Sequence, residues 1–303
     1  MQPIREYREI CTGELPHNPA FTRRATPGGK RRDFKQVSRS KAAPGSKTPA
    51  GDVTVSQQKL PLRTHSLDKH NERRLENMNI DLKKEHKTSR ERPRYGYSLA
   101  AKGFFLSMDL VTGRTITLAK VKLIEMLASI PYRSWEIHQY ARMTRYYGNQ
   151  ELVQEACKIM TWSREAQDNE YWHLMVVNEK MKDDGVNDPW YLFPIVPYIM
   201  VAIYVVLTRL MALMSIRRAF LFNAEFEDHA EHVYAQFVEE HPEWEDEPVT
   251  NERVKEYGDL STWADVFRRI GLDERDHMNN SFVFCGKPEC VVKYDGMPDS
   301  PIM

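Results

Sequence analysis

The sequence predicts an all-α protein, a four-helix bundle with a carboxylate and histidine metal site in its core. Three observations predict it. Apolar residues recur at helical spacing over long stretches of residues 95–284. Two of those stretches carry Glu-x-x-His, as Glu170/His173 and Glu274/His277. On a helix, residues three apart share a face. Two further stretches each supply one acid in apolar surroundings, Glu125 within Leu123-Ile124-Glu125-Met126-Leu127 and Glu227 beyond the most apolar run of the chain. A glutamate from each of two helices plus Glu-x-x-His from each of two others is a di-iron or di-manganese ligand set.

Spacing alone is weak support. With 10 histidines and 26 glutamates in 303 residues, about one Glu-x-x-His arises by chance. A third copy, Glu14-Leu15-Pro16-His17, contains a proline and has no apolar periodicity around it, so it is read as the chance one.

In chain order, residues 1–94 are rich in Pro, Gly, Ser, Lys and Arg and poor in apolar runs. That composition predicts a disordered basic leader. An organelle-targeting role fits its basic, hydroxyl-rich character, although Glu6, Glu9 and Glu14 are unlike a transit peptide, and no apolar h-region marks a secretory signal. Aromatics are too sparse for a nucleic-acid stacking platform, so no nucleic-acid partner is expected. Residues 1–95 hold 22 of the 43 Lys+Arg and 11 of the 43 Asp+Glu, which leaves an acidic body.

That body, residues 95–284, is expected to be the helical bundle. A short apolar segment, Leu99 to Leu110, ends near Thr112-Gly113 and suits a buried or interfacial helix. Leu118 to about Met143 and Asn149 to Met181 read as two long helices. Trp190 to Thr208 is 19 residues without a charge, with Pro194 and Pro197 at its start. A helix from near Pro197 is expected to run on through Phe220 to the acidic Asn223–His232 stretch, a pattern better suited to lying on one leaflet (monotopic) than to spanning a bilayer. Glu239 to Asp259 reads as a polar loop, Thr262 to about Phe284 as the last helix, and residues 285–303 as a loose tail. Cys11, Cys157, Cys285 and Cys290 show no Cys-x-x-Cys spacing, so neither a zinc knuckle nor a disulfide framework is indicated.

Four carboxylates and two imidazoles suit oxygen-activating iron better than tetrahedral zinc. Four amphipathic helices with incidental acids and histidines account for the same spacing.

Several segments resemble the alternative oxidase family, particularly its plastid terminal oxidase branch. Glu125-Met126-Leu127-Ala128-Ser129-Ile130-Pro131-Tyr132 is similar to that branch's Glu-Thr-Val-Ala-x-Val-Pro-Tyr. Asn169-Glu170-Tyr171-Trp172-His173-Leu174 is similar to Asn-Glu-x-x-His-Leu. Glu227 followed by Tyr234 resembles the third segment, and Asp273-Glu274-Arg275-Asp276-His277 the fourth. The resemblance covers residues 95–284. It implies a ferritin-like bundle binding two iron ions through Glu125, Glu170, His173, Glu227, Glu274 and His277, with Tyr234 as the catalytic, redox-active or hydrogen-bonding tyrosine beside the irons and Asp273 orienting His173 or His277. It also implies a membrane-bound quinol:oxygen oxidoreductase, a homodimer in a thylakoid membrane, with a mitochondrial inner or bacterial membrane as second choice. Quinol would enter past residues 98–120 and 198–220, where Arg114 and Lys120 are candidate contacts. The chain departs from the family in carrying Lys120 and Gly271 where arginines are usual. His138, His229 and His232 are expected to be structural or solvent-facing. A ferritin-like hydroxylase or iron-binding protein and a metal-free membrane-anchored scaffold are the rival classes.

Overall fold

The computed structural model describes residues 80–297. They are all-helical, with eight α-helices and no β-strand among the described residues. Residues 1–79, which include Glu14–His17 and most of the expected leader, lie outside them.

Helix α1 (Leu82–Glu91) corrects the leader boundary at residue 94. Asp81 caps it by accepting from the Lys84 N–H. The helix buries Leu82, Glu85 and Ser89, and it packs on two later helices. Only one of those three residues is a large apolar one. Ion pairs hold this helix more than an apolar face does, so hydropathy gives no sign of it.

Helix α2 (Leu99–Thr112) starts at the Ser98 cap and ends where expected, at Gly113, whose φ of 86° favours glycine. Helix α3 (Leu118–Arg145) is capped by Thr117 and keeps Pro131 in its interior. Asn149 caps α4 (Gln150–Asp183). Both follow the expected spans closely.

The expected continuous helix from Pro197 through Phe220 is two helices, α5 (Ile195–Met214) and α6 (Ile216–Glu240). Ser215 between them is extended, at φ −165° and ψ 103°, and its hydroxyl accepts from the Arg218 N–H to start α6. Pro197 lies in the first turn of α5, where its missing N–H removes no helix bond. α5 is the one described helix long and apolar enough to cross a membrane. Its outer side leaves Ile199, Ile203, Leu207, Leu210 and Leu213 exposed. α6, by contrast, is buried over most of its length.

The expected polar loop from Glu239 to Asp259 contains a 3₁₀ turn at Pro242–Glu245 and helix α7 (Glu252–Tyr257). It buries Trp244, Val254 and Tyr257. Helix α8 (Trp263–Phe284), capped by Thr262, matches expectation. The loose-tail expectation for residues 285–303 is overturned over its described part. Val292 exchanges two hydrogen bonds with the Asn279 side chain, and the Tyr294 hydroxyl donates to Asp276 at 2.8 Å.

α3 packs along α4, α6 packs along α8, and α5 lies against α3. Contacts of α4 with α8 and of α3 with α6 join the two pairs. The four helices carrying the candidate ligands thus enclose one interior.

Candidate metal centre

Each of α3, α4, α6 and α8 sends acids or histidines into that interior. Glu170, His173 and Glu227 are fully buried, and Glu125, Glu274 and His277 are nearly so. They form two groups that could hold a metal ion. One is Glu125, Glu170, His173 and Glu274; the other is Glu170, Glu227, Glu274 and His277. Within each, the four ligand atoms lie inside 4.8 Å of one another. Glu170 and Glu274 belong to both, so the two half-sites share a pair of carboxylates.

The donor atoms converge without hydrogen-bonding each other well. His173 Nδ1 lies 2.9 Å from Glu274 Oε1 and 3.6 Å from oxygens of Glu125 and Glu170. His277 Nδ1 lies 2.8 Å from Glu170 Oε1. Yet His173 Nδ1, both Glu170 oxygens, Glu125 Oε2 and Glu227 Oε2 lack an aligned hydrogen-bond partner. Buried polar atoms are normally satisfied, because each orphan costs about 1–3 kcal/mol. Several orphans aimed into one space are what a cation would satisfy, and carboxylate oxygens with imidazole nitrogens fit it chemically.

The surrounding contacts fix the ligands. His173 Nε2 lies 3.3 Å from Asp273 Oδ2 and 3.0 Å from the Asn169 amide nitrogen; with the proton on Nε2 the carboxylate accepts it and Nδ1 is left for the interior. Asp273 therefore serves His173, deciding between the two histidines expected. It is held in turn by the Tyr257 hydroxyl at 2.6 Å and by Arg269 at 2.5 Å. Tyr234 donates to Glu125, and Tyr132 donates to Glu227 at 2.7 Å. The pairing is crosswise. Each tyrosine follows one terminal glutamate by seven residues and bonds the other. Asn223 also donates to Glu227 Oε1 at 2.9 Å. Tyr132, Asn223, Tyr257 and Arg269 were not among the expected site residues. For Tyr132 the repeated seven-residue offset was a readable signal; the other three depend on contacts between distant elements.

A narrow cavity of about 70 Å³ reaches Glu125 and Tyr234 from the α2 side, lined also by Phe104, Phe105, Lys120 and His229. Lys120 is buried there, bonded to Asp109 at 2.6 Å and to the Gly113 carbonyl at 2.8 Å. Arg114 is exposed and does not line the cavity. His229 borders the cavity and His232 is buried against backbone carbonyls of Asp228 and Arg92. Burial, aided by the Arg94 and Lys120 charges, lowers His229 to about 4.

At Gly271 an added Cβ would lie 3.4 Å from Tyr234 Cβ, so a long side chain there would push on the tyrosine. Gly271→Leu is expected to cost about 1–3 kcal/mol by overpacking, checked by thermal unfolding; an unchanged midpoint would refute this contact.

Burial pushes Glu125 up to about 8 and Glu227 well above the carboxylate range, in each case reinforced by Glu274 and Glu170. Burial also raises Glu170, but His277 and His173 outweigh it and hold that carboxyl at about 2. For His173 and His277 burial favours the neutral ring, and the facing carboxylates override it and raise both. Four groups thus hold protons that ligation must displace. Each has a raised pKa, so lowering the pH fills it with a proton and opposes the cation. Cation affinity is expected to rise with pH up to about 8, below which Glu125 keeps the proton that ligation displaces, with protons released on binding. Titration calorimetry in buffers of different ionisation enthalpy checks this, and pH-independent binding without proton release would contradict it.

No protein-family model matches this chain, and no curated protein matches it.

Proposed function

We propose that the chain is a quinol:oxygen oxidoreductase of the alternative oxidase type, most like the plastid terminal oxidase branch. In this reading it is a ferritin-like four-helix bundle resting on one leaflet of a membrane. Two non-haem iron ions are held by Glu125, Glu170, His173, Glu227, Glu274 and His277. The observation that carries the reading is the convergence of these six buried groups from four helices into two half-sites that share Glu170 and Glu274. When bound, the iron pair supplies O2 binding and its reduction to water with electrons from two quinols.

The chain's own residues would divide the remaining work. Glu170 and Glu274 hold the half-sites together, and Asp273 keeps the Nδ1 lone pair of His173 turned inward. Tyr234 holds a proton at its hydroxyl beside both Glu125 and the cavity. Phe104 and Phe105 give that cavity an apolar wall, and Lys120 gives it a cation. The cavity is under half the roughly 150 Å³ that accommodates benzene, so a quinol ring requires the two phenylalanines to swing aside. Lys120 keeps the charge of the family's arginine but loses its two-pronged geometry. The exposed apolar sides of α5 and α2, including Leu106 and Leu110, support a membrane interface from which an apolar quinol enters. A homodimer belongs to the same reading, as do plastoquinol in a thylakoid or, second, ubiquinol in a mitochondrial inner or bacterial membrane.

The test is oxygen uptake by membranes carrying the chain, with a short-chain quinol supplied and cyanide present to silence haem oxidases. Uptake that requires quinol and vanishes in Glu227→Ala is expected. Iron-loaded protein without such uptake would turn the reading to a ferritin-like hydroxylase or iron-binding protein. Protein that binds no iron would leave a membrane-anchored scaffold.

A further inference from the structure

The two tyrosines that bond the terminal glutamates have different surroundings. Tyr234 borders the cavity, with Phe267 at 5.9 Å and His173 at 6.5 Å as its ring neighbours. Tyr132 faces the opposite way, into a second aromatic cluster of the core. Its ring is 5.0 Å from that of Trp135 and 5.3 Å from that of Trp162, both edge-on. The two indoles stack on each other at 5.6 Å with 6° between their planes. On its other side Tyr132 meets the candidate metal ligands, donating to Glu227 at 2.7 Å with its ring 5.5 Å from that of His277. All three side chains are buried.

Phenol and indole are the most readily oxidised aromatic side chains. Here they touch in sequence, starting at a ligand oxygen and ending at a stacked pair, across which a positive charge can spread. Resting on the di-iron reading above, we infer that Tyr132, Trp135 and Trp162 form a one-electron relay that serves the Glu227 half-site when quinol is short. Reduction of O2 takes four electrons, and the iron pair and quinol are its ordinary sources. When quinol is lacking, Tyr132 gives up one electron toward the iron pair that has reacted with O2. Its hydroxyl proton passes to Glu227 Oε1, already its acceptor. Trp135 or Trp162 then returns one electron to the tyrosyl radical, which takes the proton back. The net change is one electron gained at the iron pair and one lost from the indole pair, which carries the resulting cation radical. A packing role alone would give the same burial and ring contacts, so the test reads the radical itself.

The full chain is loaded with ferrous iron under anaerobic conditions, mixed with O2 without quinol, frozen within milliseconds and examined by electron paramagnetic resonance. Iron content is measured on the same samples. Ring-deuterated tryptophan is expected to narrow the wild-type radical signal, identifying an indole. Tyr132→Phe is expected to lower that signal at least tenfold. Trp135→Phe combined with Trp162→Phe is expected to replace it with a longer-lived tyrosyl signal. An iron-loaded wild type that oxidises its iron without an indole radical would overturn the relay. So would an indole signal that survives in Tyr132→Phe. Should Tyr132→Phe fail to fold, the double tryptophan variant decides, a tyrosyl signal supporting the relay and no radical overturning it. Absence of bound iron in the wild type would overturn the quinol-oxidase reading and the relay with it, and iron content separates that case from the others.

Discussion

Glu170→Gln is expected to lower cation binding at both half-sites together, by at least about a hundredfold. The loss of an outer contact alone typically costs 10–100-fold, and Glu170 offers a ligand atom to each group. Glu125 belongs to one group only, so Glu125→Gln is expected to weaken a single half-site. Metal content after dialysis at fixed free iron, with helicity confirmed by circular dichroism, distinguishes the two variants. Equal loss in both would mean that the half-sites do not share Glu170. Retained binding in both would remove this cluster as the metal site.

Arg275→Ala is expected to cost about 3–5 kcal/mol, the range for removing one partner from a buried ionic network. For a folded unit of this size that is a drop of about 10 °C in Tm. The guanidinium is fully buried. Its Nε donates to Glu231 at 2.9 Å, Nη1 to the Glu85 carboxylate, and Nη2 to the Glu85 carbonyl at 3.0 Å and Ser89 Oγ at 2.9 Å. Removing it leaves Glu85 buried without this cation, while Glu231 keeps Arg92, at 2.8 Å, and the Ser89 hydroxyl, at 2.7 Å. Arg275→Met with Glu85→Leu is expected to recover much of the loss, since apolar groups can replace a buried pair at little cost. Thermal unfolding of the two variants gives the comparison. A loss under about 1 kcal/mol for Arg275→Ala would mean that α1 is not fastened to α6 and α8 in this way.

The network also explains why the boundary of the folded body could not be placed from sequence. Arg275 and Glu85 are 190 residues apart, and Arg92 and Asp228 136 apart. Residues 82–91 read as polar leader, because their contribution is ionic and their partners lie on two distant helices. The break at Ser215 has a related cause. Nothing in the local pattern interrupts the helix there, and only packing sends α6 into the core while α5 keeps an apolar side exposed. In the Glu239–Asp259 stretch, a polar average concealed Tyr257, which is buried because Asp273 is within reach of its hydroxyl.

By itself the sequence determined the long helices, their starts near Asn149 and Thr262, and the six residues that meet in the interior. Those features are local. A helical period and a three-residue spacing are both expressed within a few turns of one chain segment. Tertiary structure alone decided that Glu170 and Glu274 are shared, that Asp273 serves His173, that the tyrosines bond crosswise, and that Lys120 faces the cavity while Arg114 does not. Each of these is a contact between helices, and its identity depends on how far one helix slides and rotates against the next, which no spacing within a single helix encodes.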